Sequence, residues 1–283
     1  MGKKRRTTLA HWLQFGAYRG TECLLRLFTI QSVFSFGEFL GRAAFRLPSS
    51  HRKTVLQNLA LAYRDEKTSD EITALAERVF ELTFANLVSS VRIPFLSDPQ
   101  IEKLVTIKNQ ELLIEAESKG NGIVVLVPHM GNWEILAQAL ATFHKILPET
   151  RGGTHYRPLN NPPMNRLIER RRKRRGTVLF SKRTSLHTLT TFLREGNAIA
   201  ILADQRVGKR GETCDFFGLS TDCSPLPSLL ARRTGAKVIC LHCETSGTAT
   251  WDLEFSPVDG NDTAACMAAL ELAWRSSPKD VFW

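Results

Sequence analysis

The sequence predicts an α/β fold, a mostly parallel sheet flanked by helices and preceded by an N-terminal helical layer. Three observations predict it. Ile123–Val127 is a short apolar run rich in β-branched residues, typical of a strand covered on both faces, and Ala198–Ala203 and Lys237–Cys243 read as further buried strands. Segments with helical spacing and recognisable stops alternate with these runs, as in βαβ units. The 283 residues are 43% hydrophobic and 23% charged, which supplies one large domain or two small ones with a real core. Disordered, collagen-like and fibrous classes are excluded by the same figures.

The elements follow in order. Cys23–Leu47 is rich in Leu and Phe but interrupted by Arg26, Glu38, Arg42 and Arg46. Its longest uncharged run is Leu27–Gly37, and as a helix that run covers about 16 Å of a hydrocarbon core about 30 Å thick. It is too short to span a membrane and suits a helix lying in the interface, with Lys3–Arg6 reaching head groups. A soluble helix covering the core is the plainer alternative. Thr68-Ser-Asp-Glu71 has the form of a capping box, followed by Ile72, Val79, Phe80, Phe84, Leu87, Val88 and Val91 at helical spacing. Helices are expected at Glu111–Glu117, Asn132–Phe143, Ser185–Arg194, Pro227–Thr234 and Thr263–Trp274, with Gly196 and Gly235 as stops. Thr250–Phe255 is expected as a fourth strand.

The charge sum is +10, which points to an anionic partner: nucleic acid, anionic lipid or an acidic carrier protein. The first 20 residues lack the pattern of a secretory signal, so the six cysteines are expected as free thiols in a reducing compartment. Cys240-Leu-His-Cys243 has CxxC spacing without a second CxxC and sits in a strand pattern, so no metal site and no cofactor are expected.

In open α/β sheets ligands bind beyond the carboxyl ends of the strands. Two polar clusters stand at such ends. In Val127-Pro-His129-Met-Gly-Asn-Trp-Glu134, His129 leaves a buried strand, Gly131 permits a tight turn and Asn132 can cap the next helix. Glu134 follows five residues after His129, a spacing that can bring its carboxylate to the imidazole and raise the basicity of the far ring nitrogen. The alternative is a structural histidine with a glutamate favouring a helix dipole. In Leu202-Ala-Asp204-Gln205-Arg206, Asp204 can bond a substrate hydroxyl or orient Arg206; a polar strand-to-loop turn is the alternative. Arg157, in His155-Tyr-Arg-Pro158, is a candidate anion ligand or a solvated surface residue. No nucleophile elbow, P-loop or dinucleotide fingerprint is present. A base without a protein nucleophile favours direct acyl transfer from a thioester to a hydroxyl.

The ordered set His129-Met-Gly-Asn-Trp-Glu134, Tyr156-Arg-Pro158, Asp204-Gln-Arg206, Asp215-Phe-Phe-Gly218 and Ala231-Arg-Arg-Thr-Gly-Ala236 resembles the bacterial lipid A late acyltransferases, over roughly residues 10–283. The histidine-to-acid pair alone is shared with glycerolipid acyltransferases. The resemblance implies a glycerolipid-acyltransferase-like sheet and His129 with Glu134 as the catalytic pair. It implies substrate-positioning roles for Arg157, Asp204 and Gln205, beside which Asn132 and Arg206 are candidate substrate-binding residues. It implies an acyl carrier protein thioester as donor, a Kdo-bearing lipid A precursor as acceptor, and the cytoplasmic face of the inner membrane as location. Asp215, the Thr221–Pro227 loop without a glycine, and the end at Trp283 depart from the family pattern.

These readings divide the chain into a membrane-interface segment, residues 1–47, and an acyltransferase domain, residues 48–283. Arg166–Arg175 packs seven basic residues into ten positions. It reads as a solvated face, a phosphate footprint for nucleic acid, or a site for lipid phosphates and an acidic carrier. Absence of interleaved aromatics disfavours base stacking. Two other functions remain open: acyl transfer to another glycolipid or to a glycerol phosphate, and a basic nucleic-acid-binding module.

Overall fold

The structure is a computed structural model that describes residues 7–208 and 211–283. The Lys3–Arg6 run lies outside the described residues. Four helices come first: α1 (Leu9–Leu25), α2 (Ile30–Arg46), α3 (Ser50–Ala62) and α4 (Ser69–Arg92). A short α5 (Asp98–Glu102) leads to β1 (Val105–Lys108), α6 (Gln110–Ser118) and β2 (Ile123–Val127). Then come α7 (Glu134–Gln138), α8 (Leu140–Ile146), β3 (Gly152–Tyr156), α9 (Pro162–Arg174), β4 (Val178–Ser181), α10 (Leu186–Arg194) and β5 (Ala198–Leu202). A hairpin of β6 (Glu212–Phe216) and β7 (Leu219–Cys223) precedes α11 (Leu226–Thr234), β8 (Lys237–Gly247), β9 (Thr250–Pro257) and α12 (Thr263–Ser276).

The main sheet has seven strands in the order β1-β9-β8-β2-β5-β3-β4. Every neighbouring pair is parallel except β8 with β9. The expected strand at Thr250–Phe255 exists, but it runs against its neighbour. β8 continues to Gly247, and Gly247 pairs with Thr250, so the two-residue connection Thr248-Ala249 forces a hairpin. Ala249 takes a φ of 59° there. One helical layer packs Ile135 and Ala139 on the face carrying Val125, Val127 and Leu241; α10, α11 and α12 cover Val124, Leu126, Ile199 and Cys240 on the other. All five β2 residues are buried, as their unbroken apolar run requires.

The N-terminal layer joins this core rather than standing apart from it. Thr68 and Glu71 form the expected capping box of α4. A Cβ on Gly37 would lie 2.5 Å from the Ala85 Cα, and one on Gly41 would lie 2.4 Å from the Phe80 carbonyl oxygen. Only glycine allows α2 and α4 that approach, and Val33 and Phe34 are buried in the seam. The outer surface of α1, α2 and their junction is apolar: Leu13, Leu24, Leu27, Phe28, Phe36 and Phe39 are exposed. No helix among the described residues is long and apolar enough to cross a membrane.

Candidate active site

β2 and β5 are parallel neighbours, with Val127 opposite Leu202. His129 and Asp204 each stand two residues beyond that final pair, so the sheet delivers both to one place. The Asp204 carboxylate accepts from the His129 backbone N–H at 2.5 Å and meets the ring Nδ1 at 2.6 Å. A carboxylate only accepts, so Nδ1 carries the proton and Nε2 presents its lone pair. The Asp204 side chain is 1% exposed and the His129 side chain 18%, which leaves the ring with a solvent-facing edge.

His129 sits at the edge of a cavity of about 750 Å³. The cavity floor is the sheet: Val125 and Val127 on β2, Ala198, Ala200 and Leu202 on β5, Gly152 and Thr154 on β3. Its roof is Leu136, Leu140, Phe143 and Leu147 from α7, α8 and the turn after them. Alanine and glycine at central strand positions, where Val, Ile or Leu would fill the layer, leave the space open. The polar end is at the strand termini, with Glu134, Tyr156, Arg157, Arg172, Lys182, Gln205 and Arg206 in its wall.

Glu134 lies in that wall, but its carboxylate accepts from Arg172 of α9 at 2.6 Å. The imidazole is held by Asp204. The expectation that Asp204 orients Arg206 is not met, because both its oxygens face His129 and Arg206 bonds Asp222 at 3.0 Å. Gln205 and Arg157 are exposed at the cavity mouth. Asn132 is buried and outside the cavity wall; its amide donates to the Asn86 carbonyl, so it does not cap a helix with its side chain. The expected single helix at Asn132–Phe143 is broken at Ala139 into α7 and α8.

The His129 turn is braced from three sides. Gly131 takes the expected positive φ, 51°, and a Cβ there would lie 2.4 Å from the Cys243 carbonyl oxygen. The Gly131 N–H donates to the Asp280 carbonyl and the Phe282 N–H to the His129 carbonyl, with Met130 bridging Val281. Trp133 sets its ring edge-on to His129 at 5.3 Å and to Phe282 at 5.9 Å. Asp280 is itself anchored, accepting from the Thr245 N–H, the Thr245 hydroxyl and the Ser277 hydroxyl. Burial pushes its carboxyl above the usual range. Sequence reasoning missed this strap, since a short irregular segment has no period to read.

Burial, and then its hydrogen bond to Glu169, pushes the Tyr156 phenol up to about 12, so it remains a donor. Burial likewise raises the Cys240, Cys243 and Cys266 thiols, which keeps them protonated and inert. Of the seven basic residues of Arg166–Arg175, three turn inward. Arg171 binds Glu22 of α1, Arg172 binds Glu134, and Arg175 binds Asp98. Arg166, Arg170, Lys173 and Arg174 remain exposed.

A family model for the bacterial lipid A biosynthesis acyltransferases matches residues 1–273. The chain belongs to this family. Among curated relatives it is similar to the phosphatidylinositol mannoside acyltransferase of Mycolicibacterium smegmatis, 25% identical over 189 residues, 63% of this chain and 59% of the relative. The Mycobacterium tuberculosis protein of the same name is 28% identical over 165 residues, 55% of this chain and 49% of the relative. The lipid A biosynthesis palmitoleoyltransferase of Escherichia coli is 23% identical over 257 residues, 87% of this chain and 81% of the relative. The chain thus spans about half to three-fifths of the length of the mycobacterial relatives. Family membership agrees with the α/β fold expected from the sequence.

Proposed function

We propose that this chain transfers a fatty acyl group from an acyl carrier protein thioester to a hydroxyl of a Kdo-bearing lipid A precursor. The observation that carries the reading is one imidazole, oriented by a buried carboxylate, at the polar edge of a cavity whose depth is apolar. His129 Nε2 takes the proton of the acceptor hydroxyl as its oxygen attacks the thioester carbonyl. The imidazolium that forms is stabilised by Asp204. Collapse of the tetrahedral species breaks the carbon–sulfur bond, and the proton passes to the leaving thiolate. The thioester makes the exchange favourable without a covalent enzyme intermediate. Arg172, held in the wall by Glu134, offsets charge developing on the carbonyl oxygen; Glu134 thereby serves catalysis through the guanidinium.

The acyl chain lies along β5. Ala198 to Leu202 is four steps of about 3.3 Å, roughly 13 Å. With C–C bonds of about 1.5 Å, a zigzag chain advances about 1.25 Å per methylene, so this stretch takes about ten carbons. The exposed cations of α9 face an acidic carrier, and residues 1–47 hold the enzyme at the cytoplasmic face of the inner membrane through the apolar surface of α1 and α2. The relatives named for phosphatidylinositol mannoside favour a second reading, in which the acceptor is another phosphorylated glycolipid. Mass spectrometry of products from purified protein, acyl carriers of graded length and either acceptor tests both. A product made by wild type and lost in His129→Ala is expected; transfer by that variant at the wild-type rate would overturn the base assignment.

A further inference from the structure

Four cationic side chains line the cavity: Arg157, Arg172, Lys182 and Arg206. Arg172 is matched by Glu134 and Arg206 by Asp222. Among the described residues, the side chains of Arg157 and Lys182 have no partner. Their placement is fixed by the sheet. β3 and β4 are parallel neighbours whose last pair is Tyr156 with Ser181, and the Lys182 N–H donates to the Tyr156 carbonyl. Arg157 and Lys182 are therefore the next residues on two strands about 4.8 Å apart. Two cations carried on adjacent strand ends repel each other, and an anion bound between them relieves that repulsion. They border the same space that His129 enters, and their exposure lets a ligand approach from solvent.

We propose that Arg157 and Lys182 form a phosphate-ester subsite at the mouth of the acyl cavity. Arg157 supplies a planar fork suited to two phosphate oxygens, and Lys182 supplies a compact point charge beside it. The inference rests on the acyl-transfer reading and deepens it, because it assigns a charged contact to one substrate. Two sources offer the same chemistry: the phosphate of a pantetheine arm on the donor side, and the head-group phosphate of a lipid acceptor. The subsite holds the substrate that bears the phosphate while His129 works on atoms deeper in the cavity.

Calorimetric binding to the full chain tests this without any turnover. The probes are two pairs: lauroyl-pantetheine with and without its 4′-phosphate, made as non-transferable ethers, and lysophosphatidic acid against monoacylglycerol. Hydrogen bonds to charged groups predict that at least one phosphate-bearing probe binds roughly ten- to hundred-fold tighter than its partner. The pair that shows the gap identifies the source. The gap should vanish in R157Q/K182Q and persist in R157K/K182R, both of which change exposed positions and leave the fold intact by circular dichroism. If neither pair shows a gap, or the gap survives in R157Q/K182Q, the subsite is overturned. Acyl transfer is measured separately. Absence of any phosphate gap in the wild-type protein, with transfer intact, refutes the subsite alone, whereas phosphate discrimination by a wild-type protein that transfers nothing refutes the enzymatic reading alone.

Discussion

Asp204 holds His129 at two points, the backbone N–H and the ring Nδ1, so one carboxylate fixes both the turn and the tautomer. This follows from strand register: two adjacent parallel strands end level, and the residue two beyond each meets the other. Asp204→Asn should lower kcat by about 10²–10⁴-fold, because the amide can donate to Nδ1 and turn the ring to the unproductive tautomer. Donor KM should change little. A kcat near wild type, from initial rates with folding checked by circular dichroism, would remove Asp204 from the orienting role.

Glu134 and Arg172 form the second charged contact of the site. Removing either partner should cost turnover, and removing both should cost less than the sum, since each single variant leaves a charge unmatched in the cavity wall. Glu134→Gln, Arg172→Gln and the double variant make a cycle that can be read in kcat. Strict additivity would mean that the contact has no part in the transition state.

The size of the acyl chain should be set by small residues on the cavity floor. Ala198 lies at the start of β5, four residues before Leu202, and both line the cavity. Ala198→Phe fills the deep end while the polar end is untouched. The preferred donor should become shorter, with kcat on the shortest accepted donor kept. Competition between donors of eight to sixteen carbons, read by mass spectrometry, decides it; an unchanged length profile would place the chain elsewhere.

The apolar surface of the first two helices makes a membrane prediction sharper than deletion. Removing residues 1–47 would strip Val33 and Phe34 from the core and expose the α4 face that Gly37 and Gly41 cover. Phe36 and Phe39 point outward instead. Phe36→Glu with Phe39→Glu should weaken flotation with anionic vesicles by more than about ten-fold, given about 1.5–3 kcal/mol for burying each aromatic side chain. Full retention on vesicles would leave α2 without a membrane role.

The sequence was most legible where one physical signal dominated. β2, β5 and the Val238–Leu241 part of β8 are unbroken apolar runs, and the capping box at Thr68 and the positive φ at Gly131 were readable locally. β3 was illegible because Gly152, Gly153 and Thr154 do not look like a buried strand; they are small where the cavity needs room. The β6–β7 hairpin turns on Phe217 and Gly218, both at positive φ, and a phenylalanine gives no turn signal. It is carried there by burial against Tyr63, Trp274 and Trp283. Both site clusters were found from strand ends, yet the partner of His129 was not, because proximity across β2 and β5 depends on strand order. A five-residue separation along the chain was visible and a 75-residue one was not.

One buried histidine, His242, and one half-buried histidine, His155, make stability depend on pH in a direction that can be worked out. Burial lowers both His155 and His242 from the ordinary value of 6.5. Glu254 and Glu244 oppose that shift at His242, and Lys108 adds to it, but burial is the largest cause. Among the described residues the buried His242 Nδ1 has no hydrogen-bond partner, which disfavours charging the ring. Below about pH 6.5 the unfolded chain binds protons that the folded one refuses, and stability falls as pH falls towards the folded values. Above that window the contribution is complete and flat. Urea melts at pH 7.5, 6.5 and 5.5 should give a declining midpoint, and the drop should shrink in His242→Gln, which occupies similar space and does not titrate. An equal drop in that variant would assign the acid sensitivity to other groups.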